Sequence, residues 1–251
     1  MLKTRIIPTM LYKDFGLVKG TGFDSLRAVG SAMQAIKVYN LRNVDELVFL
    51  DVTATLQGRE PDYDLIDDLA DDCFMPLTVG GGVRSIGHVR RLLEVGADKV
   101  AIGTACVESP ELVEEAARRF GSQCVVAVVD VKEGPDGRHV AWTRSATAPT
   151  ALDPVDLARS LESAGAGEIL LQSVDRDGTM SGYDLTTLAA VAHSVSIPVI
   201  ASGGAGNFDH MVAALRAGAS ALAAGAIYHF TEQTPMEAKA HLADAGFPVR
   251  H

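Results

Sequence analysis

Residues 76–104 read PLTVGGGVRSIGHVRRLLEVGADKVAIGT, and residues 198–226 read PVIASGGAGNFDHMVAALRAGASALAAGA. Each starts as a short apolar run that ends in glycines. Each then passes through an amphipathic stretch of helical spacing and returns to an apolar run closed by a glycine. This is the pattern of a strand, a tight turn, a helix and a further strand. The two stretches align without a gap. Gly81 and Gly203, His88 and His210, Gly96 and Gly218, and Gly103 and Gly225 are each 122 positions apart (203 − 81 = 122). Glu46 and Glu168 keep the same offset. A period of half the 251-residue chain is too long for a solenoid repeat and describes two like halves of one body.

Working outward, apolar runs at 5–10, 46–51, 124–130 and 168–173 join those at 76–79, 99–102, 198–201 and 221–224, which makes eight candidate strands. Helical patterns at 88–96, 110–120, 154–165 and 208–218 lie between them. Alternating strand and helix imply a parallel sheet. Eight such units in about 250 residues suit closure. The expectation is an α/β fold, a single (β/α)8 TIM barrel over residues 1–251 with an internal half-barrel duplication, the halves being about 1–122 and 123–251. An open doubly wound sheet is the alternative.

The formal net charge of −10 is a poor match for nucleic acid, which needs a basic face. It still permits a small anion held by backbone N–H groups. No apolar run has transmembrane length and no signal-peptide core is visible, so the expected location is the cytoplasm, away from membranes. Cys73, Cys106 and Cys124 are odd in number and widely spaced, and none has metal-ligand spacing. They read as small core residues in a reducing compartment, and no metal or cofactor is expected.

Three sets of residues carry possible chemistry. Gly80-Gly81-Gly82 and Ser202-Gly203-Gly204-Ala205-Gly206 each follow a strand, and each is matched at the next strand end, by Gly103-Thr104 and Gly225-Ala226. Glycines there let backbone N–H groups approach an oxyanion, and two loops per half converge on one phosphate. Two such sites across one mouth imply a long ligand with a phosphate at each end. Asp51 and Asp130 end their strands, and Asp175 and Asp177 follow the sixth, all on the catalytic side of a barrel. Any one of them can serve only to cap a helix. Arg5, Glu46, Lys99 and Glu168 stand at or near strand starts, so they ring the opposite end, either as a salt-bridged plug or as a gate for a small polar molecule.

The segments RIIP, VKGTGF, DELVFLDVTAT, PLTVGGGVR, GADKVAIGTA, VVAVVDVK, GAGEILLQSVDRDGT and PVIASGGAG together resemble the cyclase subunit of imidazole glycerol phosphate synthase over nearly the whole chain. The resemblance implies a barrel that takes ammonia from a glutaminase docked at its N-terminal face. It implies a gate of Arg5, Glu46, Lys99 and Glu168. It implies one phosphate site at Gly81, Gly82, Gly103 and Thr104, and another at Asp177, Gly178, Gly203, Gly204, Gly225 and Ala226. Lys19 falls in the family's mobile loop, and Asp130 is one member of its acid–base pair. The other member's place is taken by Leu11, which cannot exchange protons; Ala226 stands for a Ser and Gln172 for a Thr. With GREPDYDLI, DGTMSGYD and HFTEQTPMEAKAHL, these departures resemble a cyclase-like branch associated with sugar amidation in surface-polysaccharide pathways. There a third protein, an amidotransferase of adenylating type, acts with the glutaminase and the barrel. Three functions follow as expectations: an ammonia-relaying subunit of a glutamine-dependent amidotransferase, a genuine histidine-pathway cyclase, or a silent scaffold for a glutaminase.

Overall fold

The computed structural model describes residues 3–14, 16–134 and 136–250. Its strands are β1 (Arg5–Lys13), β2 (Gly16–Thr21), β3 (Asp24–Gly30), β4 (Leu47–Asp51), β5 (Leu77–Gly80), β6 (Lys99–Ile102), β7 (Val125–Glu133), β8 (His139–Thr143), β9 (Ala148–Pro149), β10 (Glu168–Ser173), β11 (Val199–Ser202) and β12 (Ala221–Ala224). Its helices are α1 (Ala32–Leu41), α2 (Tyr63–Asp71), α3 (Ile86–Glu94), α4 (Thr104–Glu108), α5 (Glu111–Phe120), α6 (Pro154–Ser163), α7 (Leu185–Ala192), α8 (Phe208–Arg216), α9 (Ala226–Phe230) and α10 (Pro235–Asp244).

Eight of the strands form one parallel ladder in the order β10-β11-β12-β1-β4-β5-β6-β7. The ends meet, because β10 pairs in parallel with β7 from Glu168↔Val126 to Ser173↔Val131. The sheet is therefore a closed barrel with helices between its strands, and the open doubly wound alternative is excluded. Strands expected at 99–102, 168–173 and 221–224 have those bounds. The first and fifth expected strands run three residues further than the apolar pattern, to Lys13 and Glu133. Each continues into an antiparallel hairpin over the mouth, β1–β2–β3 and β7–β8–β9.

The helices begin where local chemistry stops the strand. Ser85 accepts from the N–H of His88 to start α3, and Asn207, 122 positions on, accepts from the N–H of His210 to start α8. Asp153 caps α6 ahead of Pro154, and Thr234 with Glu237 forms a capping box on α10. In α5, Glu111 and Glu114 open the helix and Arg118 and Arg119 close it, each sign complementing the helix dipole.

Strand alternation sorts each side chain to one of two cores. Ile6, Met10, Phe49, Val79, Ile102, Val129 and Leu171 pack outward against the helices. Ile7, Val48, Val126, Leu170, Ile200, Ala221 and Ala223 fill the barrel interior, with Leu50 and Val128 against them. Along β1 the inward series is Arg5, Ile7, Thr9, Leu11 and Lys13, which lists the barrel axis from bottom to mouth. No helix among the described residues is long and apolar enough to cross a membrane.

Candidate functional site

At the bottom of the barrel the four strand-start charges close a ring. One Arg5 guanidinium nitrogen lies 2.8 Å from Glu46 Oε2 and 2.8 Å from Glu168 Oε1. Lys99 Nζ lies 2.7 Å from Glu46 Oε1 and 3.1 Å from Glu168 Oε2. Two cations thus bridge two carboxylates without net charge. The Thr78 hydroxyl donates to Glu46 Oε1 at 3.2 Å, and Glu46 is 2% exposed. Above the ring lies the apolar interior layer, and above that a cavity of about 300 Å³ opens at the C-terminal ends of the strands. Leu50, Val128 and Leu170 belong to both the interior layer and the cavity wall. Ring, apolar layer and mouth are therefore stacked on one axis.

The cavity wall brings together Leu11, Lys19, Gly81, Gly82, Gly103, Thr104, Asp130 and Asp177, all singled out in the sequence. Asp51 also borders it but is tied down. Its carboxylate accepts from Thr53 N, Thr53 Oγ1, Ala54 N and Arg59, which makes it the anchor of its own loop. Asp175 is similarly used, accepting from the N–H of Glu133 at 2.9 Å. That leaves Asp130 and Asp177 as the carboxyls facing the cavity. Burial, with Asp177 as a second cause, pushes the Asp130 carboxyl up to about 7. Burial also raises Asp177, against the lowering effects of Lys19 and a hydrogen bond with Gln172.

Register shows what Leu11 replaces. In the first half Leu11 pairs with Leu50, and in the second Asp130 pairs with Gln172. Leu50 and Gln172 are 122 positions apart, so Leu11 and Asp130 occupy equivalent places in the two half-barrels (172 − 50 = 122). One offers a methyl-tipped side chain to the cavity, the other a carboxyl that titrates near neutrality.

The two glycine loops differ in what they present. Gly82, at φ 72°, passes so close to the Arg59 carbonyl that a Cβ would sit 2.6 Å from it. Its N–H reaches Thr55 Oγ1 at 3.2 Å, a contact an anion can replace. Thr104 Oγ1 accepts from the Arg144 N–H at 2.9 Å, which leaves its hydroxyl proton free. On the other side, Gly203, Gly204, Gly225 and Ala226 are absent from the cavity wall, and Gly178 packs against the Gly20 carbonyl. Gly22 N donates to Asp177 O at 2.9 Å, so the β2–β3 hairpin is folded down onto this half. Lys19, 4% exposed, is thereby carried inside, where its ammonium donates to Thr9 Oγ1 at 3.3 Å. Burial lowers its pKa, opposed by Asp177.

A family model described as histidine biosynthesis protein matches residues 5–234. The chain belongs to that family. This member of the histidine biosynthesis protein family carries its polar groups at the two ends of one barrel axis, with apolar side chains between. Several cavity residues went unnoticed in its sequence. Phe23 and Leu26 come from the β2–β3 hairpin, and Ser145 and Thr147 come from the β8–β9 tip. The tip runs through three consecutive left-handed residues, Arg144, Ser145 and Ala146, a conformation no sequence periodicity announces. His229 was also missed: its Nε2 is buried without a partner among the described residues, and burial followed by Lys19 pushes the imidazole down to about 4.

Proposed function

We propose that this barrel is the ammonia-accepting subunit of a glutamine-dependent amidotransferase. A glutaminase docks on the N-terminal face, ammonia enters through the ring of Arg5, Glu46, Lys99 and Glu168, and a phosphorylated small molecule receives it at the mouth. The observation that carries this reading is the closed, neutral, hydrogen-bonded ring placed directly beneath an apolar column that ends in the mouth cavity. Conserving stability needs no charges there, since a buried ion pair is often no better than apolar side chains of like volume. The apolar layer also selects the species that passes. Moving an ammonium ion among Ile7, Val48, Val126 and Ile200 carries a large desolvation cost, whereas neutral ammonia crosses as a small polar molecule.

Leu11 supports relay over cyclisation, because the half-barrel equivalent of Asp130 has no proton to give. The sequence branch that shares this departure makes a sugar the favoured acceptor, with an adenylating amidotransferase as third component. One observation favours the second reading, a genuine cyclase of histidine biosynthesis: burial brings the Asp130 carboxyl to about 7 beside the cavity, near the operating pH as suits a general acid or base. The deciding experiment is co-expression and co-purification with a glutaminase subunit, followed by Lys99→Glu. The expected result is loss of glutamine-dependent turnover with turnover on free ammonium retained. If both activities stay at the wild-type level, the ring is not a gate.

A further inference from the structure

Buried lysines in this barrel are paired with carboxylates, with one exception. Lys239, 8% exposed, lies 2.8 Å from Asp45 Oδ1, and Lys99 bridges Glu46 and Glu168. Lys19 is buried more deeply, at 4% exposed. Among the described residues no carboxylate oxygen lies within 4.0 Å of its nitrogen, which donates at 3.3 Å to the neutral Thr9 Oγ1. A cation buried without a close anion is costly, and the group sheds its charge instead. Burial indeed lowers the Lys19 pKa, opposed by Asp177. The seat is built for the amine, because a Cβ on Gly225 would overlap the Lys19 nitrogen. His229 stands near it as well, kept neutral by burial and then by Lys19, which push its imidazole down to about 4. Lys19, Thr9 and Asp177 all border the mouth cavity, whose wall also carries Leu11, Leu26 and Leu50. An uncharged lysine amine at the edge of a partly apolar cavity is a nucleophile.

We infer that Lys19 forms a covalent imine with a small aldehyde or ketone that enters the mouth. The nitrogen lone pair bonds to the carbonyl carbon, and the C–O π pair moves to oxygen. That oxygen takes up one proton while the nitrogen gives one up, which leaves a carbinolamine. The hydroxyl then departs as water with the second nitrogen proton, as the C=N bond forms. Amine and carbonyl thus give imine and water, with no oxidant or reductant. Asp177 is placed to carry both protons, since it borders the same cavity and burial raises its carboxyl toward holding a proton. This activity goes beyond the relay reading and does not depend on it.

The test treats the full chain alone with dihydroxyacetone phosphate and cyanoborohydride, which reduces an imine to a stable secondary amine. The adduct adds the mass of the probe less one oxygen and is placed by peptide mass mapping. Lys37, with 61% of its side chain exposed, serves as the ordinary lysine. Near pH 7 Lys19 is expected to carry at least about tenfold more label than Lys37, because each unit by which an amine's pKa is lowered raises its neutral fraction about tenfold. Equal labelling of the two, or no label on Lys19, overturns the inference. From about pH 6.5 to 8.5 the neutral fraction of an ordinary lysine rises about a hundredfold, so the ratio of Lys19 to Lys37 label is expected to fall. A constant ratio would mean that the buried amine keeps its proton throughout, and overturns the inference. In urea the advantage of Lys19 is expected to vanish, and its persistence there would show that the fold does not create it. Every reading is taken on the unmodified chain, so no folding defect of a variant can imitate a result. Neither glutaminase nor ammonia takes part, so failure here leaves the gate test standing, and failure of the gate test leaves this one standing.

Discussion

The two halves of this barrel keep the same scaffold and have parted at the mouth. At the bottom, Glu46 and Glu168 stand 122 positions apart and do the same thing, each bridging Arg5 and Lys99. At the top, Leu11 stands opposite Asp130, Thr104 opposite Ala226, and the open glycine at 103 opposite the occupied one at 225. Even the paired histidines differ. His88 Nδ1 lies 3.2 Å from the Gly82 carbonyl, so it must donate, whereas His210 Nδ1 accepts from the Gly206 N–H at 3.3 Å. What the halves share is what backbone geometry demands, and they differ in the side chains that line the mouth. Here the first half carries Leu11, the open Gly103 loop and the buried Lys19, and the second carries the Asp130 carboxyl and the Gly225 loop that Lys19 covers.

The largest expected effect comes from making the halves alike at the Leu11 and Asp130 positions. Losing a positioned acid or base costs about 10²–10⁴-fold in rate. Wild-type protein is therefore expected to form negligible imidazole glycerol phosphate from the amino-imidazole ribonucleotide used by the cyclases it resembles, even at saturating ammonium salt. Leu11→Asp should recover part of it if the mouth still holds that ligand. Rapid product formation by the unmodified chain, followed by its absorbance change, would mean the halves have not divided their roles as described.

The bottom ring sharpens the contrast, because there the halves should behave nearly alike. Removing one partner of a buried ion pair typically costs about 3–5 kcal/mol. Glu46→Ala is expected in that range by urea unfolding. Glu168→Ala should cost less by about 1 kcal/mol, since Glu46 alone accepts the Thr78 hydroxyl and is the more buried of the two. Equal losses would show that the Thr78 bond adds nothing, and negligible losses would remove the ring from the account of stability.

Much of this was legible in the sequence and some was not, for physical reasons. The glycine-bounded runs marked the barrel strands because a parallel sheet buried on both faces writes itself as apolar stretches. The ring was visible because charges at strand starts are rare and share a parity with the interior residues. The same parity separates Asp130 from Asp51: Asp130 follows Val126 and Val128 on the inward series, whereas Asp51 is one step past Leu50, and its carboxylate turns to Thr53, Ala54 and Arg59. The hairpins were missed because VKGTGF and its neighbours are short and broken by glycine. The seat of Lys19 at Gly225 depends on two segments more than 200 positions apart (225 − 19 = 206), which no local pattern encodes.

The pH dependence of stability tests the second half alone. The folded Asp130 carboxyl titrates at about 7, against 3.8 for the free group. Below about pH 4 both states are protonated and the group is neutral in its effect. As pH rises from there to 7 the unfolded state ionises first, so native stability falls, and above 7 the full penalty is present. Asp130→Asn mimics the protonated form. It is expected to leave stability unchanged at pH 4 and to raise it by about 2–4 kcal/mol at pH 8. A stabilisation that is the same at both pH values would show that the carboxyl is not buried as described. Leu11→Asp should show the opposite sign over the same window, since it adds to the first half the penalty that Asp130 carries in the second.

The smallest effect concerns the two residues that follow Gly103 and Gly225. Thr104 Oγ1 already accepts the Arg144 N–H, so its own proton is available to a phosphate oxygen. Thr104→Ala removes one hydrogen bond to the ligand, and phosphate affinity should weaken by about 0.5–1.5 kcal/mol, roughly 2- to 13-fold. The reciprocal change, Ala226→Ser, supplies the missing hydroxyl to the other half. That half has the buried Lys19 nitrogen over the preceding Gly225. Ala226→Ser is therefore expected to strengthen phosphate binding there by no more than the same one hydrogen bond, about 0.5–1.5 kcal/mol. Phosphate titrations of the two single variants decide this. A gain from Ala226→Ser that matches the loss from Thr104→Ala would show that the two loops bind anions alike, and no change would show that the second loop takes none.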